Sequence, residues 1–445
     1  MRALLVSTYE MGRQPFGLAS PAAWLRDAGV DVTCLDLSRQ PFRAELASAD
    51  FVGFHLPMHT ATRLAVPVIE RIRALNPKAT LCCYGLYAPL NKTLLAGLGV
   101  DSVLGGEFEA DLVALATGRP STEPESQGTG LPRLKFRVPE RAGLLPPSQY
   151  ATLQHGRERR VVGYTEASRG CKHLCRHCPV VPIYNGQFRV VPVEIVLADI
   201  RGQVARGAQH ITFGDPDFFN GIGHATDVVD ALARGFPDVT YDVTIKIEHL
   251  LRHSDELSRL RKTGCLFVTS AVESFDDDVL LKLRKGHTVA DIERAADACR
   301  RAGLVMIPTF VAFNPWTTLE GYAAFLDAID RLSLVDHVAP IQLALRLLVP
   351  QASHLLELQE VAACAGPFDP VRLIYPWRHH DPRVDRLCDE VGSVVGRCLA
   401  TPRAELFDQV WSLAHRYVGQ PGRRRSATVP PSRAEVPFLN EPWYC

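Results

Sequence analysis

Short apolar runs alternate with longer amphipathic stretches along most of the chain. In its first part, Ala3–Ser7, Val32–Leu37, Phe51–Leu56, Thr80–Tyr84 and Ser102–Leu104 read as strands. Between them, Pro21–Ala28, Thr60–Leu75, Leu90–Leu98 and Glu107–Ala116 carry helical periodicity. Continuous rather than alternating apolar runs mark strands buried on both faces, and crossovers of this length call for parallel pairing. The pattern predicts a doubly wound, Rossmann-like α/β domain over residues 1–118. Ligands of such sheets sit beyond the carboxyl ends of the strands. That rim comprises Thr8–Gly17, His55–Thr60, Tyr84–Ala88 and Gly105-Gly106-Glu107.

The rhythm then stops. Residues 119–155 are rich in proline, with Gly128 and Gly130 among them, and read as a linker. From about Arg160 the alternation returns. Val161–Ala167, His210–Phe213, Tyr241–Ile247, Leu266–Ala271, Val305–Phe310 and Ile341–Leu347 read as strands, most of them followed by a helical pattern. Six βα units predict a partial (βα)6 barrel over residues 156–350, with its chemistry at the carboxyl ends of the strands. Residues 351–445 read as a mixed accessory region with a tail rich in Pro, Arg and Ser.

Composition narrows the classes. The 445 residues are 47% hydrophobic and 22% charged, and Lys plus Arg equals Asp plus Glu, so the formal net charge is zero. That balance gives no electrostatic reason to expect nucleic acid or an anionic membrane as partner. Arg423-Arg424-Arg425 is the only basic run and reads as a solvated tail. No apolar run approaches the roughly 18–20 residues of a spanning helix, and the N-terminus does not resemble a leader. A cytoplasmic location is expected. There the 12 cysteines point to metal or catalysis rather than a disulfide framework. Cys34 and the Cys82-Cys83 pair lie on predicted buried strands and read as core.

The chemistry concentrates in Gly170-Cys171-Lys172-His173-Leu174-Cys175-Arg176-His177-Cys178-Pro179, just after the first barrel strand. Thiolates suit iron–sulfur clusters and zinc. Three thiolates on a four-iron cluster leave one iron open to a cofactor, whereas structural zinc wants four filled positions. A zinc knuckle completed by His173 or His177, or three unconnected core cysteines, are the alternatives.

CxxxCxxC after an opening barrel strand resembles the signature of the radical S-adenosylmethionine (SAM) superfamily, and the resemblance extends over residues 160–350. It implies a [4Fe-4S] cluster on Cys171, Cys175 and Cys178 that cleaves SAM reductively to a 5′-deoxyadenosyl radical. Gly214, Asp215 and Asp217 in Gly214-Asp215-Pro216-Asp217 resemble the loop near the methionine amino group. Lys246 and Glu248 close the third strand, and Ser270, Glu273 and Ser274 the fourth; these positions match contacts to the carboxylate and ribose. His177 stands where the superfamily usually has an aromatic residue near adenine.

The preceding doubly wound domain resembles that of the cobalamin-dependent subgroup, and Gly105-Gly106-Glu107-Phe108-Glu109 resembles its closing loop. The DxHxxG motif that would supply a histidine to cobalt is absent; the matching region reads Thr8-Tyr9-Glu10-Met11-Gly12-Arg13. With cobalamin, the implied reaction is methyl transfer. Without it, rearrangement, oxidation or carbon–sulfur bond formation are open, and the domain only buttresses the barrel. A zinc-stabilised binding protein is the non-enzymatic alternative. The ending Pro442-Trp443-Tyr444-Cys445 resembles radical SAM proteins whose tail continues as Cys or selenocysteine and then Ala-Glu-Pro. On that basis Cys445 is a redox candidate and the chain is expected to continue through a recoded codon. Asn314, Trp316 and Arg346 are candidate substrate residues at the barrel mouth. The expected partners are a small-molecule or peptide substrate and a reductant such as flavodoxin or ferredoxin.

Overall fold

The computed structural model describes residues 1–119, 134–397, 401–420 and 436–440. Its first sheet comprises β1 (Arg2–Ser7), β2 (Asp31–Asp36), β3 (Phe51–His55), β4 (Thr80–Tyr84) and β5 (Ser102–Leu104), all parallel, in the order β2-β1-β3-β4-β5. This is a doubly wound order. The apolar continuity of β1 has a direct cause. Leu4 and Val6 enter one core with helix His59–Leu75, while Ala3 and Leu5 enter another with helices Phe16–Asp27 and Glu109–Thr117. A strand covered on both faces has no polar side to show.

The second sheet takes β6 (Thr152–His155), β7 (Glu158–Thr165), β10 (His210–Phe213), β11 (Thr240–Thr244), β12 (Cys265–Glu273), β13 (Val305–Phe310) and β14 (Phe438–Asn440), in the order β13-β12-β11-β10-β7-β6-β14. Strands β7 and β10–β13 run parallel and curl into a half-barrel, while β6 and β14 extend it antiparallel. Strands β8 (Ser168–Gly170) and β9 (Phe188–Val190) form a separate ribbon. The fold class is as expected, with one correction. The predicted sixth strand, Ile341–Leu347, is a short 3-10 turn over Pro340–Leu343 followed by a single bridge, Phe313 to Arg346. Pro340 has no N–H to give a ladder, and the Gln342 side chain instead accepts from Phe310 N–H at 2.7 Å. Among the described residues no helix is long and apolar enough to cross a membrane.

The predicted linker is more than a spacer. Its Arg141 is buried, and its guanidinium forks onto Asp199 at 2.6 and 2.9 Å, donates to Gln14 Oε1 at 2.5 Å and to the Tyr164 carbonyl at 2.8 Å. One side chain thus joins the rim of the first sheet to β7 of the second. Removing one partner of a buried pair strands the other charge, at about 3–5 kcal/mol. Arg141→Ala should lose about that much by chemical denaturation, and Arg141→Lys, which cannot fork, should fall between. A loss under about 1 kcal/mol for the alanine variant would refute the bridging role.

Candidate functional site

Cys171 follows β8 directly, so the thiol loop leaves the carboxyl edge of the half-barrel. Gly170 sits at φ +77°, and a Cβ there would lie 2.4 Å from the Tyr184 ring and 2.5 Å from the Gln187 carbonyl. Only glycine can lead the chain into this loop. Cys178 N–H donates to the Cys175 carbonyl at 3.1 Å, and Cys175 is buried while Cys171 and Cys178 are partly covered. Burial raises the Cys171 thiol and pushes Cys178 up to about 12.

Three thiolates fill three of the four positions of a structural zinc, and on a four-iron cluster they leave one iron open to a cofactor. His173 does not complete a zinc knuckle, because its two ring nitrogens face Asp217 Oδ2 at 3.3 Å and Glu248 Oε2 at 3.7 Å. His177 Nε2 meets Glu273 Oε1 at 3.0 Å.

The strand-end residues gather around this loop. Gly214 is tight: a Cβ would fall 1.8 Å from the Tyr164 hydroxyl. Asp215 accepts from Ala167 N–H at 2.9 Å and Ser168 Oγ at 2.5 Å, so its carboxylate shapes the entry to the thiol loop. Asp217 is fully buried; His173 and His249 outweigh the cost of burial and hold its carboxyl down at about 2. Lys246 is buried with its Nζ 3.8 Å from Glu248 Oε2. Ser270 Oγ is occupied by the Ile245 carbonyl at 2.7 Å. Glu273 has φ +71°, an unusual setting for a side chain of this size, at a break in the register of β12. Burial works against its charge, but Lys285 at 3.1 Å and His177 keep it well below the carboxylate range. Ser274, half-buried, follows it.

The candidate substrate residues fare differently. Asn314 is buried and caps its own turn, accepting from Trp316 N–H at 3.1 Å. Trp316 packs against Lys282, whose Nζ lies 5.0 Å from the indole centre. The Arg346 fork is already occupied by Asp385 at 2.8 Å and the Trp377 carbonyl at 2.7 Å, stacked 3.6 Å over the Trp377 ring. It therefore holds the accessory region rather than an open mouth. Cys445 lies outside the described residues. Cys34, Cys82 and Cys83 are core, and burial drives the Cys34 and Cys82 thiols up to about 12.

A cavity of about 250 Å³ lies where the carboxyl edges of the two sheets meet, lined by Glu10, Arg13 and His55 on one side and Tyr164, Glu166 and Pro216 on the other. It also touches Gly170 and Val180, which flank the thiol loop. Glu10 accepts from His55 Nδ1 at 2.7 Å.

Residues 165–317, which include the thiol loop and every strand-end acid named above, match the model of the Radical SAM superfamily. The chain carries a radical SAM domain. Such a domain belongs to an enzyme and implies a [4Fe-4S] cluster and SAM. Hopanoid C-3 methylase from Methylococcus capsulatus is 26% identical over 68% of this chain and 62% of its own length. A tRNA-2-methylthio-N(6)-dimethylallyladenosine synthase from Chlorobium luteolum is 27% identical over 33% of this chain and 34% of its own. This chain therefore spans less than two thirds of either relative. A solved structure of the cobalamin-dependent radical SAM enzyme OxsB with aqua-cobalamin superposes with TM-score 0.69 over 92% of this chain and 72% of that one, at 13% identity. The shared fold thus reaches beyond the radical SAM domain into the first sheet.

Four residues near the thiols act through contacts that the sequence alone does not show. Lys285 follows a helix in an ordinary loop, yet Glu273 outweighs its burial and its charge reaches Cys175 and Cys178. Arg169 and Glu107 belong to different sheets and meet only in the fold, at 3.4 Å. Glu166, beside Arg169 at 3.0 Å, is pushed up by burial to about 8, with Arg169 opposing. Its usual value is 4.5. The folded state therefore holds a proton that the unfolded chain releases, and this stability is full below 4.5 and lost as pH rises through 8. Glu166→Gln removes that dependence. Relative to the parent, the variant should gain on the order of a few kcal/mol between about pH 5 and pH 9. A difference in unfolding free energy that stays flat with pH would refute it.

Proposed function

We propose that Cys171, Cys175 and Cys178 hold a [4Fe-4S] cluster, that SAM binds beside it over the strand ends, and that the enzyme modifies a small molecule or peptide. The observation that carries this reading is placement: three cysteines spaced CxxxCxxC follow β8 at the carboxyl edge of a parallel half-barrel, inside residues 165–317 that match the superfamily model. When bound, cluster and SAM together supply reductive carbon–sulfur cleavage and hydrogen abstraction at an unactivated carbon. The protein's own residues do the holding. Lys285 places a positive charge near Cys175 and Cys178, and at Cys178 it opposes the burial that raises the thiol. Lys246 with Glu248, and Glu273 with His177, are the charged groups offered to SAM; Ser270, Ser274 and Gly214 shape the floor around them. Asp215, whose carboxylate accepts from Ala167 N–H and Ser168 Oγ, sets the course of the loop. A flavodoxin or ferredoxin is the proposed reductant.

Cobalamin is the second part of the proposal and rests on position. A fold shared with a cobalamin-binding structure and a cavity between two carboxyl edges support it. The crevice is narrow for a whole corrinoid: its volume is below the roughly 300–1,000 Å³ of ordinary ligand pockets, and the His55 ring fills the space over Gly17. The missing histidine of Thr8–Arg13 does not bear on the fit, since cobalamin can bind without a protein ligand below. Methyl transfer through cobalamin thus requires the crevice to widen, and the thiol centre carries the functional reading alone. Nucleic acid is not set aside as a substrate, because the relatives include a tRNA-modifying enzyme.

Anaerobically reconstituted, reduced protein should give a four-iron paramagnetic resonance signal that shifts when SAM is added. Cys175→Ala should abolish it. Protein that retains zinc and takes up no iron would overturn the assignment. Cobalamin kept through gel filtration, seen in the visible spectrum, would select methyl transfer, and its loss would select the reactions that need none.

A further inference from the structure

A second group of ligand atoms lies beside the thiol loop and takes no part in holding a cluster. His173, Asp217 and His249 each bring one such atom to within 4.8 Å of the other two. They come from three segments: the loop between Cys171 and Cys175, the turn after β10, and the helix Ile247–Arg252 after β11. Asp217 Oδ1 already accepts from Phe219 N–H at 3.3 Å and Lys246 N–H at 3.4 Å, which turns Oδ2 toward the histidines.

Oδ2 lies 2.7 Å from His249 Nδ1 and 3.3 Å from His173 Nε2. Neither contact has the angles of a hydrogen bond. Asp217 Oδ2, His173 Nε2 and both nitrogens of His249 are buried without a hydrogen-bond partner. The side chains of Asp217 and His249 are 0% exposed. Each unpaired buried polar atom costs about 1–3 kcal/mol, so their convergence needs a reason. Donors sharing an ion at about 2.0–2.1 Å lie about 2.9–3.4 Å apart, close to the two separations found. Glu248, 3.7 Å from the other nitrogen of His173 and itself facing Lys246 and Arg252, stands where a carboxylate orients a metal-bound imidazole.

We propose that His173, Asp217 and His249 form a second metal site, distinct from the thiol centre, for a divalent transition ion. Two imidazoles and a carboxylate suit zinc or iron(II) and leave coordination positions open. His173 is 13% exposed, so solvent reaches the site on its side. A bound ion ties the thiol loop to the ends of β10 and β11, and loop and barrel then form one unit. The site does not depend on what the three thiols hold.

Cobalt(II) is the probe, added to full-length, anaerobically reconstituted protein after chelator treatment, with iron and sulfide assayed alongside. One cobalt per chain is expected, with weak d–d absorption and no intense sulfur-to-cobalt charge transfer. His249→Gln should lose it while the iron and sulfide content stays. His173→Gln, at a partly exposed position, should do the same if the buried variant does not fold. Glu248→Gln should weaken cobalt binding roughly ten- to a hundredfold. Absence of stoichiometric cobalt, sulfur charge transfer, or binding unchanged in His173→Gln would overturn the site. Failure of the cluster would appear separately, in the iron and sulfide counts.

Discussion

One buried acid holds the thiol loop from both sides. Glu107 follows the Gly105-Gly106 turn after β5 and is 2% exposed. Its carboxylate faces Arg169 at 3.4 Å, two residues before Cys171, and accepts from the Tyr184 hydroxyl at 3.1 Å, six residues after Cys178. Entry and exit of the loop thus close on a single group of the other sheet. Arg169 extends the anchor to Glu109 at 2.7 Å and to Ser20 Oγ at 3.1 Å. Burial raises the Glu107 carboxyl while Arg169 opposes it. A buried carboxyl of this kind depends on its partners for hydrogen bonds and opposite charge, so the network stands or fails together.

That dependence explains why the first sheet matters to chemistry placed on the second. A thiol loop at the open edge of a half-barrel has one wall fewer than a closed barrel would give it. The missing wall is supplied across the interface, by Glu107, Glu109 and Ser20, and from the linker by Arg141. In an isolated half-barrel Arg169 would keep Glu166 at 3.0 Å and lose Glu107, Glu109 and Ser20. The radical SAM domain and the doubly wound sheet therefore form one functional body, whatever the crevice between them binds.

Much of this was legible along the chain, and the exceptions share a cause. Strands such as Thr80–Tyr84 and His210–Phe213 were readable to the residue, because a strand buried on both faces writes its own limits. The three cysteines were readable because their spacing is local. The sixth barrel strand was misread: Ile341–Leu347 is apolar enough, but Pro340 and the Gln342 side chain divert its pairing, and apolarity does not report hydrogen bonds. Arg346 was readable as a strand-end cation but not as one already paired with Asp385, 39 residues on. Glu107 meets Arg169, 62 residues on, and His249 lies against Asp217 from another strand end; no short window along the chain holds both members of such a pair.

The cavity between the sheets joins these observations. It touches Gly170 and Val180 at the flanks of the thiol loop and also Glu166 and Arg169, members of the anchoring network. A ligand entering it meets the groups that position the loop. Widening the crevice would move the rim that carries Glu107 away from Arg169 and Tyr184, and so would load the loop at both ends. A large ligand there is then compatible with an intact thiol centre only if its own contacts replace those made by Glu107. A small one can bind without that exchange. The size of what the crevice accepts is thereby tied, through one carboxylate, to the order of the loop that carries the cysteines.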